Sequence, residues 1–329
     1  MAELLVLDSQ AVAAALPMAP LIAAMKTAYA AVSNGTAVAP MRTHLPLADR
    51  GASALFMPAF VPGEIEESLA VKVVTLFPTN PIRGLPLIHA AVLVMDPETG
   101  EMLALLEGSS LTALRTGAGA GAATDLLARP DAETAAVFGA GAQARTQLKA
   151  VCAVREIRAV RVFGPTPANV RAFIEEMSAE LPADYLAAGS PAEALSGADI
   201  VCTATTSTTP VFSDAEVPNG AHINAVGSYT PEMIELPPET LARARLTVDS
   251  RAACEAEAGE LIRAVDLGIV DPDRIDEIGE IVLGAKLGRA SADEITLFKS
   301  VGIAAQDAAA AGLALRNARE FGLGVEVNW

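Results

Sequence analysis

The run VFGAGAQA, Val137 to Ala144, constrains this chain more than any other stretch. Gly139, Gly141 and Ala144 stand at GxGxxA spacing. The residues AETAAVF before them read as a short buried strand, and QARTQLKAVCAV after them as a helix. In that context each small residue has a separate role. Gly139 permits the tight turn, Gly141 lets the backbone approach a pyrophosphate, and Ala144 lets the helix pack close to the sheet. The helix N-terminus adds unpaired N–H groups and partial positive charge. Ala140, Ala142 and Gln143, inside the turn, belong to the same expected cofactor contact.

The alternation that follows supports a dinucleotide-binding unit. Strands are expected at 135–138, 158–164, 184–187, 198–205, 222–227 and 245–250, with helices at 142–153, 168–180 and 191–196 between them. Such a βαβ rhythm gives a doubly wound parallel sheet with helices on both faces. The first 115 residues differ. Two helical stretches end at Gly35, and the strand-like runs MRTHLPLA, ASALFMPAFV, SLAVKVVTLF, LIHAAVLVMD and MLALLEG follow, separated by turn signals such as DPETG. A Gly/Ala-rich helix from Ser109 leads into the second half, and the tail carries one long amphipathic helix starting near Ser300. The expected fold is α/β: a Rossmann-type domain over 116–301, inserted in an N-terminal α+β substrate domain over 1–115 that is completed by 302–329.

Composition narrows the partners. A net charge of −17 repels polyanions and argues against nucleic-acid binding. No apolar run reaches the ~20 residues that span a bilayer, and MAELLVLDSQ lacks a signal peptide's basic and apolar regions. Cys152, Cys202 and Cys254 show no CxxC spacing and read as buried thiols of a reducing, cytoplasmic compartment. No His/carboxylate set has metal-ligand spacing.

In an acidic protein, cations placed in apolar surroundings stand out. Lys72 sits inside the apolar strand AVKVV, where it either faces solvent or pairs with an anion. Arg115, in LTALRTGAG, suits a bidentate carboxylate contact or an interdomain ion pair. Arg42 and His44 are two apart in MRTHL, so an extended strand points both to one face. His89, in LIHAAVLV, reads as a core residue, and His222 as structural. On the cofactor side, Thr203, Ala204 and Thr205 follow the strand ADIVC and can wall a ribose or nicotinamide. The second Rossmann strand ends at Gly164, Pro165 and Thr166, with neither a carboxylate for ribose hydroxyls nor an adjacent arginine for a 2′-phosphate. That pattern favours NAD(H), with NADP(H) left open.

The Arg42 strand, AVKVV, EGSSLTALRTGAGAGAAT, VFGAGAQA, ADIVCTATTSTTPVF, HINAVGSYTPEMIEL and ITLFKSVGIAAQD together resemble the ornithine cyclodeaminase/mu-crystallin family. The resemblance implies a homodimer formed through the N-terminal domains and an active site between that domain and the Rossmann domain. It implies that Arg42, Lys72 and Arg115 hold a substrate carboxylate. Val226 and Gly227 would lie near the nicotinamide, with Val301 and Gly302 bordering the substrate pocket. One departure bears on the chemistry. Where cyclodeaminases carry an aspartate after NAVG, this chain has Tyr229, and a tyrosine is no carboxylate base near neutral pH.

The expected activity is therefore reduction of a small α-imino acid to an L-amino acid with NAD(P)H, with Lys72 and Arg115 as catalytic groups. The substrates considered are 1-pyrroline-2-carboxylate, iminopropionate and iminosuccinate; the last would use His44 for its second carboxylate. Two alternatives remain at this stage: ammonia-eliminating cyclisation of ornithine, and a non-catalytic dinucleotide-binding protein.

Overall fold

Period-two alternation builds the first sheet. On the strand Ser68–Leu76, residues Ser68, Ala70 and Lys72 are buried while Leu69, Val71 and Val73 are only half-buried. The computed structural model describes residues 3–63 and 67–329. They fall into two compact units, Met1–Arg115 with Ile303–Trp329, and Thr116–Gly302.

The first unit holds β1 (Glu3–Leu7), β2 (Thr43–Leu47), β3 (Ala52–Val61), β4 (Ser68–Leu76), β5 (Ile88–Met95), β6 (Met102–Glu107) and a C-terminal strand, Val325–Asn328. Their order runs from the C-terminal strand through β1, β6, β5, β4 and β3 to β2. Pairing is antiparallel except between β1 and β6, so this sheet is mixed. One face is covered by the helix Ala304–Phe321, which packs on β3, β4 and β5, and the helix Met18–Ser33 packs on that helix in turn. Alanines at 304, 305, 308, 311 and 314 are buried there and keep side-chain bulk out of the contact, which lets the helix approach the strands. Ser68 Oγ donates to Ala308 O at 2.6 Å, fixing the helix's position along β4.

The second unit holds β7 (Thr134–Phe138), β8 (Ala159–Phe163), β9 (Asp184–Ala187), β10 (Ile200–Thr203), β11 (His222–Ala225), β12 (Arg245–Val248), β13 (Asp276–Glu277) and β14 (Thr296–Lys299). They lie in the order β13-β12-β14-β11-β10-β7-β8-β9, every pair parallel. Every residue of β10, β11 and β14 is buried, as expected of parallel strands covered on both faces. Val137, Leu148, Val151, Val160, Val162, Phe173 and Met177 form one side's core. From β7 the chain winds outward through β8 and β9, then returns to β10 on β7's other side. That reversal opens a crevice at the carboxyl ends of β7 and β10, where doubly wound folds take their ligands.

Several expectations need correcting. Thr296–Lys299, which the sequence left unassigned, is a central strand, and the tail helix begins at Ala304 instead of near Ser300. Its four residues, buried on both faces, show no alternation to distinguish them from a helix start. Glu3–Leu7 and Val325–Asn328 are strands that the sequence reading did not place, being short and without flanking turn signals. His89 is exposed, not core, because it falls on the outward phase of β5 beside buried Val92 and Val94. Cys152 is only half-buried, whereas Cys202 and Cys254 are fully so. No single helix among the described residues is long and apolar enough to cross a membrane.

His222 opens β11 fully buried, with Nδ1 3.0 Å from Thr296 Oγ1 and Nε2 3.1 Å from Asn224 Oδ1. Burial draws its pKa from 6.5 down to about 3, against the pull of the Asn224 hydrogen bond. The unfolded chain therefore binds a proton that the folded one refuses between those two values, so stability falls as pH drops through that window. Urea midpoints measured across it should decline less steeply for His222→Gln than for the wild type; equal slopes would exclude this role for His222.

Candidate active site

A lysine on the covered face of an apolar sheet needs an anion. Lys72 lies between Met57 and Val92 in the register of β3, β4 and β5, and is 2% exposed. The anion comes from the first turn of the helix Ala304–Phe321, where Asp307 Oδ2 is 2.7 Å from Lys72 Nζ. Arg115 Nε donates to the other oxygen, Oδ1, at 2.9 Å. Arg115 Nη1 donates to Gln306 Oε1 at 3.1 Å, Gln306 Nε2 donates to Tyr29 Oη at 2.7 Å, and all these groups are buried. One carboxylate thus gathers two cations that are far apart in sequence. Among the described residues Arg115 Nη2 makes no hydrogen bond, leaving part of the guanidinium fork unused by the protein.

The electrostatics follow from this crowding. Burial draws the Lys72 ammonium from 10.5 to about 7; Arg115 and Arg42 push the same way, and Asp307 opposes them. Burial pushes the Asp307 carboxyl up, but Arg115 and Lys72 outweigh it and hold its pKa below the ordinary value. Arg42, half-buried just before β2, is close enough to act on both. Arg42, Lys72 and Arg115 thus bring three basic side chains into the neighbourhood of one carboxylate, Asp307. His44 is exposed on the edge strand β2, paired in register with Leu55.

In the second unit, Gly139 has φ +103°, which L side chains rarely adopt, and a Cβ there would meet Ala204 O at 2.6 Å. Gly141 is exposed, and a Cβ on it would meet nothing within 4 Å, so open space lies over the turn. Gly141 also caps the helix Ala142–Val154 without any side-chain bond to its first-turn N–H groups. Gln143 Oε1 is buried without a hydrogen-bond partner among the described residues. Exposed Thr166 caps the helix Pro167–Glu180, again without a side-chain bond. These residues fit the pyrophosphate and adenosine side of a dinucleotide. Arg145 was not foreseen: its Nη1 donates to Ala140 O at 2.6 Å and Gly141 O at 3.2 Å, stiffening the turn.

At the crevice, Thr203 is buried at the end of β10 and Ala204 and Thr205 are half-buried beyond it; Val226 and Gly227 follow β11. Glu235, fully buried, joins the two segments by accepting from Thr203 Oγ1, Thr205 N and Gly227 N at 2.9, 2.7 and 2.8 Å. Asp249 does the same for the residues after β14, accepting from Ser300 Oγ, Val301 N and Gly302 N at 2.6, 3.1 and 2.7 Å. Lys299 is buried beside Glu260 at 2.9 Å and donates to Ser228 O at 2.6 Å. Burial lowers the Lys299 pKa, but Glu260 and Glu235 outweigh it and hold the ammonium above its ordinary value. Asp307, Glu235, Asp249 and Lys299 were all missed by the sequence reading. A charged residue inside an apolar run, the signal that singled out Lys72, also marks Lys299 in TLFKS and Glu235 in MIEL.

The profile of the ornithine cyclodeaminase/mu-crystallin family matches residues 2–321. The chain belongs to that family. It is similar to a Delta(1)-pyrroline-2-carboxylate reductase of Bacillus cereus, 41% identical over 92% of this chain and 94% of the relative. Among solved structures, Thermococcus litoralis Delta(1)-pyrroline-2-carboxylate reductase in complex with NADH and L-proline superposes with a TM-score of 0.94 and 42% identity, covering 98% of this chain and 100% of the other. An archaeal alanine dehydrogenase dimer with bound NAD gives 0.91 and 32% identity, with full coverage of both chains.

Removing the shared carboxylate should expose what it neutralises. Asp307→Asn leaves two buried cations facing each other and should lower stability by about 3–5 kcal/mol. Adding Lys72→Met should recover part of that loss in a double-mutant cycle followed by urea denaturation, and strict additivity of the two changes would show that Lys72 and Asp307 are not coupled.

Proposed function

We propose that this protein reduces a small cyclic α-imino acid, 1-pyrroline-2-carboxylate, to L-proline with NADH. The observation that carries the reading is the pair of buried cations, Lys72 and Arg115, gathered on Asp307. Burying cations in an apolar sheet is unfavourable unless an anion is handled there. The relatives that act on this imine, and the one bound to NADH and L-proline, supply the substrate and cofactor. The alanine dehydrogenase makes open-chain iminopropionate a competing substrate class, and the assay below includes it.

The turn from Gly139 to Gln143 would hold NADH, which would supply the hydride that reduces the C2=N double bond to a C–N single bond. Everything else falls to the chain's own side chains. Arg115, Lys72 and Arg42 hold the C1 carboxylate, which fixes the ring so that C2 is presented in one orientation. Lys72 is also placed to manage the proton at the imine nitrogen, since an amine with a pKa of about 7 both gives and takes a proton near neutrality. Ser228 and Tyr229 stand where a cyclodeaminase-type mechanism needs a carboxylate base, and Ser228 is engaged with Lys299 and Glu260. This argues for reduction over cyclisation. Retention of the cation cluster argues against a purely structural dinucleotide-binding role. The turn at Gly139 to Gln143 would carry the pyrophosphate, and Thr166, with no arginine immediately after it in sequence, favours NAD(H) over NADP(H).

We infer a homodimer formed through the first unit. The face of its sheet opposite the helix Ala304–Phe321 presents Phe56, Leu69, Val71, Val73, Leu93 and Leu105, exposed or half-buried, and such an apolar face favours a partner surface. Phe56→Glu with Val71→Glu should halve the mass measured by sedimentation if that face forms the dimer; an unchanged mass would exclude it.

Cofactor oxidation should be followed with NADH or NADPH against 1-pyrroline-2-carboxylate, pyruvate plus ammonia, and iminosuccinate, and ornithine tested for conversion to proline without net oxidation. Lys72→Ala and Arg115→Ala should each lower kcat/KM for the cyclic imine by about 100-fold or more while NADH affinity stays near wild type. The wild-type reductive rate should fall as pH rises through about 7, where Lys72 loses its proton. A near-normal rate in either variant would remove the cation cluster from the mechanism.

A further inference from the structure

At the carboxyl edge of the parallel sheet, one buried side chain holds two loops at once. Glu235 is 0% exposed. Its Oε1 accepts from Thr205 N at 2.7 Å, and its Oε2 accepts from Thr203 Oγ1 at 2.9 Å, Gly227 N at 2.8 Å and Ser228 N at 3.2 Å. The donors come from the last residue of β10 and from the segments after β10 and β11, so the carboxylate ties one loop to the other. Space is as tight as the bonding: a Cβ on Gly227 would meet Thr205 N at 2.3 Å and Glu235 Oε1 at 2.4 Å. On its far side the same loop backs on the phosphate turn, since a Cβ on Gly139 would meet Ala204 O at 2.6 Å. The segment Thr203–Thr205 is thus pressed between Gly139 and Gly227. Glu235 is itself held, because Val211 N donates to its backbone oxygen at 2.8 Å.

We propose that Glu235 is a positioning residue for the dinucleotide: it locks the loops after β10 and β11 against each other so that Thr205 and Gly227 present a fixed wall to the cofactor. The proposal rests on the NAD(H) reading above. It assigns Glu235 no contact with substrate or cofactor. Its effect passes through the backbone of Thr205 and Gly227, and through Ser228, which Lys299 and Glu260 hold from the other side. A carboxylate is required because both oxygens accept. A glutamine keeps the shape but has one acceptor oxygen and one NH2 group. With its oxygen toward Gly227 and Ser228, the NH2 group faces the Thr205 amide; turned around, it faces the other two. At least one loop loses its anchor in either orientation.

The test uses the full-length protein and two readouts. NADH affinity is measured by calorimetry for wild type, Glu235→Gln and Glu235→Asp, and amide hydrogen exchange is followed for segments 203–208 and 225–230 and for β7 and β8 as controls. For Glu235→Gln we expect NADH binding weakened about tenfold or more, faster exchange confined to those two segments, and a KM for the imine at saturating NADH within about twofold of wild type. Glu235→Asp, which keeps the charge but shortens its reach, should fall between the two; it carries the test if the glutamine variant does not fold. NADH affinity within twofold of wild type in the variant that folds overturns the proposal, as does exchange that rises equally in β7 and β8, which would mark general destabilisation. A wild type that binds NADH and a variant that binds it equally well sinks the role of Glu235 alone, whereas a wild type that binds neither NADH nor NADPH sinks the cofactor reading and this proposal with it.

Discussion

Asp307 is the group on which the first unit's chemistry depends. Without it the sheet would bury Lys72 and Arg115 as like charges in an apolar layer, a state that desolvation alone makes unfavourable. With it, two cations are fixed side by side, and the lysine among them is lowered to about 7. The carboxylate compensates enough charge for the fold to tolerate the pair. Structural tolerance and the proposed binding of a substrate carboxylate thus share one side chain.

The second unit repeats the device with different partners. Glu235 and Asp249 each collect backbone N–H groups from loops beyond the parallel strands, and Lys299 pairs with Glu260 under the same rim. Loops at the carboxyl ends of parallel strands have no ladder to hold them. Buried carboxylates replace that ladder, converting irregular backbone into a wall of defined shape.

How much of this could be read beforehand depended on the kind of signal. The Gly139 turn and the βαβ rhythm were legible because small residues and apolar runs have local causes. Lys72 was legible as an anomaly, a charge inside an apolar strand. Asp307 was not, because an aspartate in the first turn of a helix is commonplace, and its partners are 192 residues away at Arg115 and farther at Lys72. The strand Thr296–Lys299 was hidden for the opposite reason: burial on both faces erased its alternation. His89 misled because LIHAAVLV looks uniformly buried, while only one phase of β5 faces the helix.

The placement of Asp307 has a consequence for how the chain matures. The residue that neutralises Lys72 is synthesised only after the whole of Thr116–Gly302. Until then the nascent N-terminal sheet holds its lysine with no counter-ion and lacks the helix that shields its apolar face. The central strand Thr296–Lys299 of the inserted unit is made just before Asp307, so both units wait on the final stretch of the chain to close their cores.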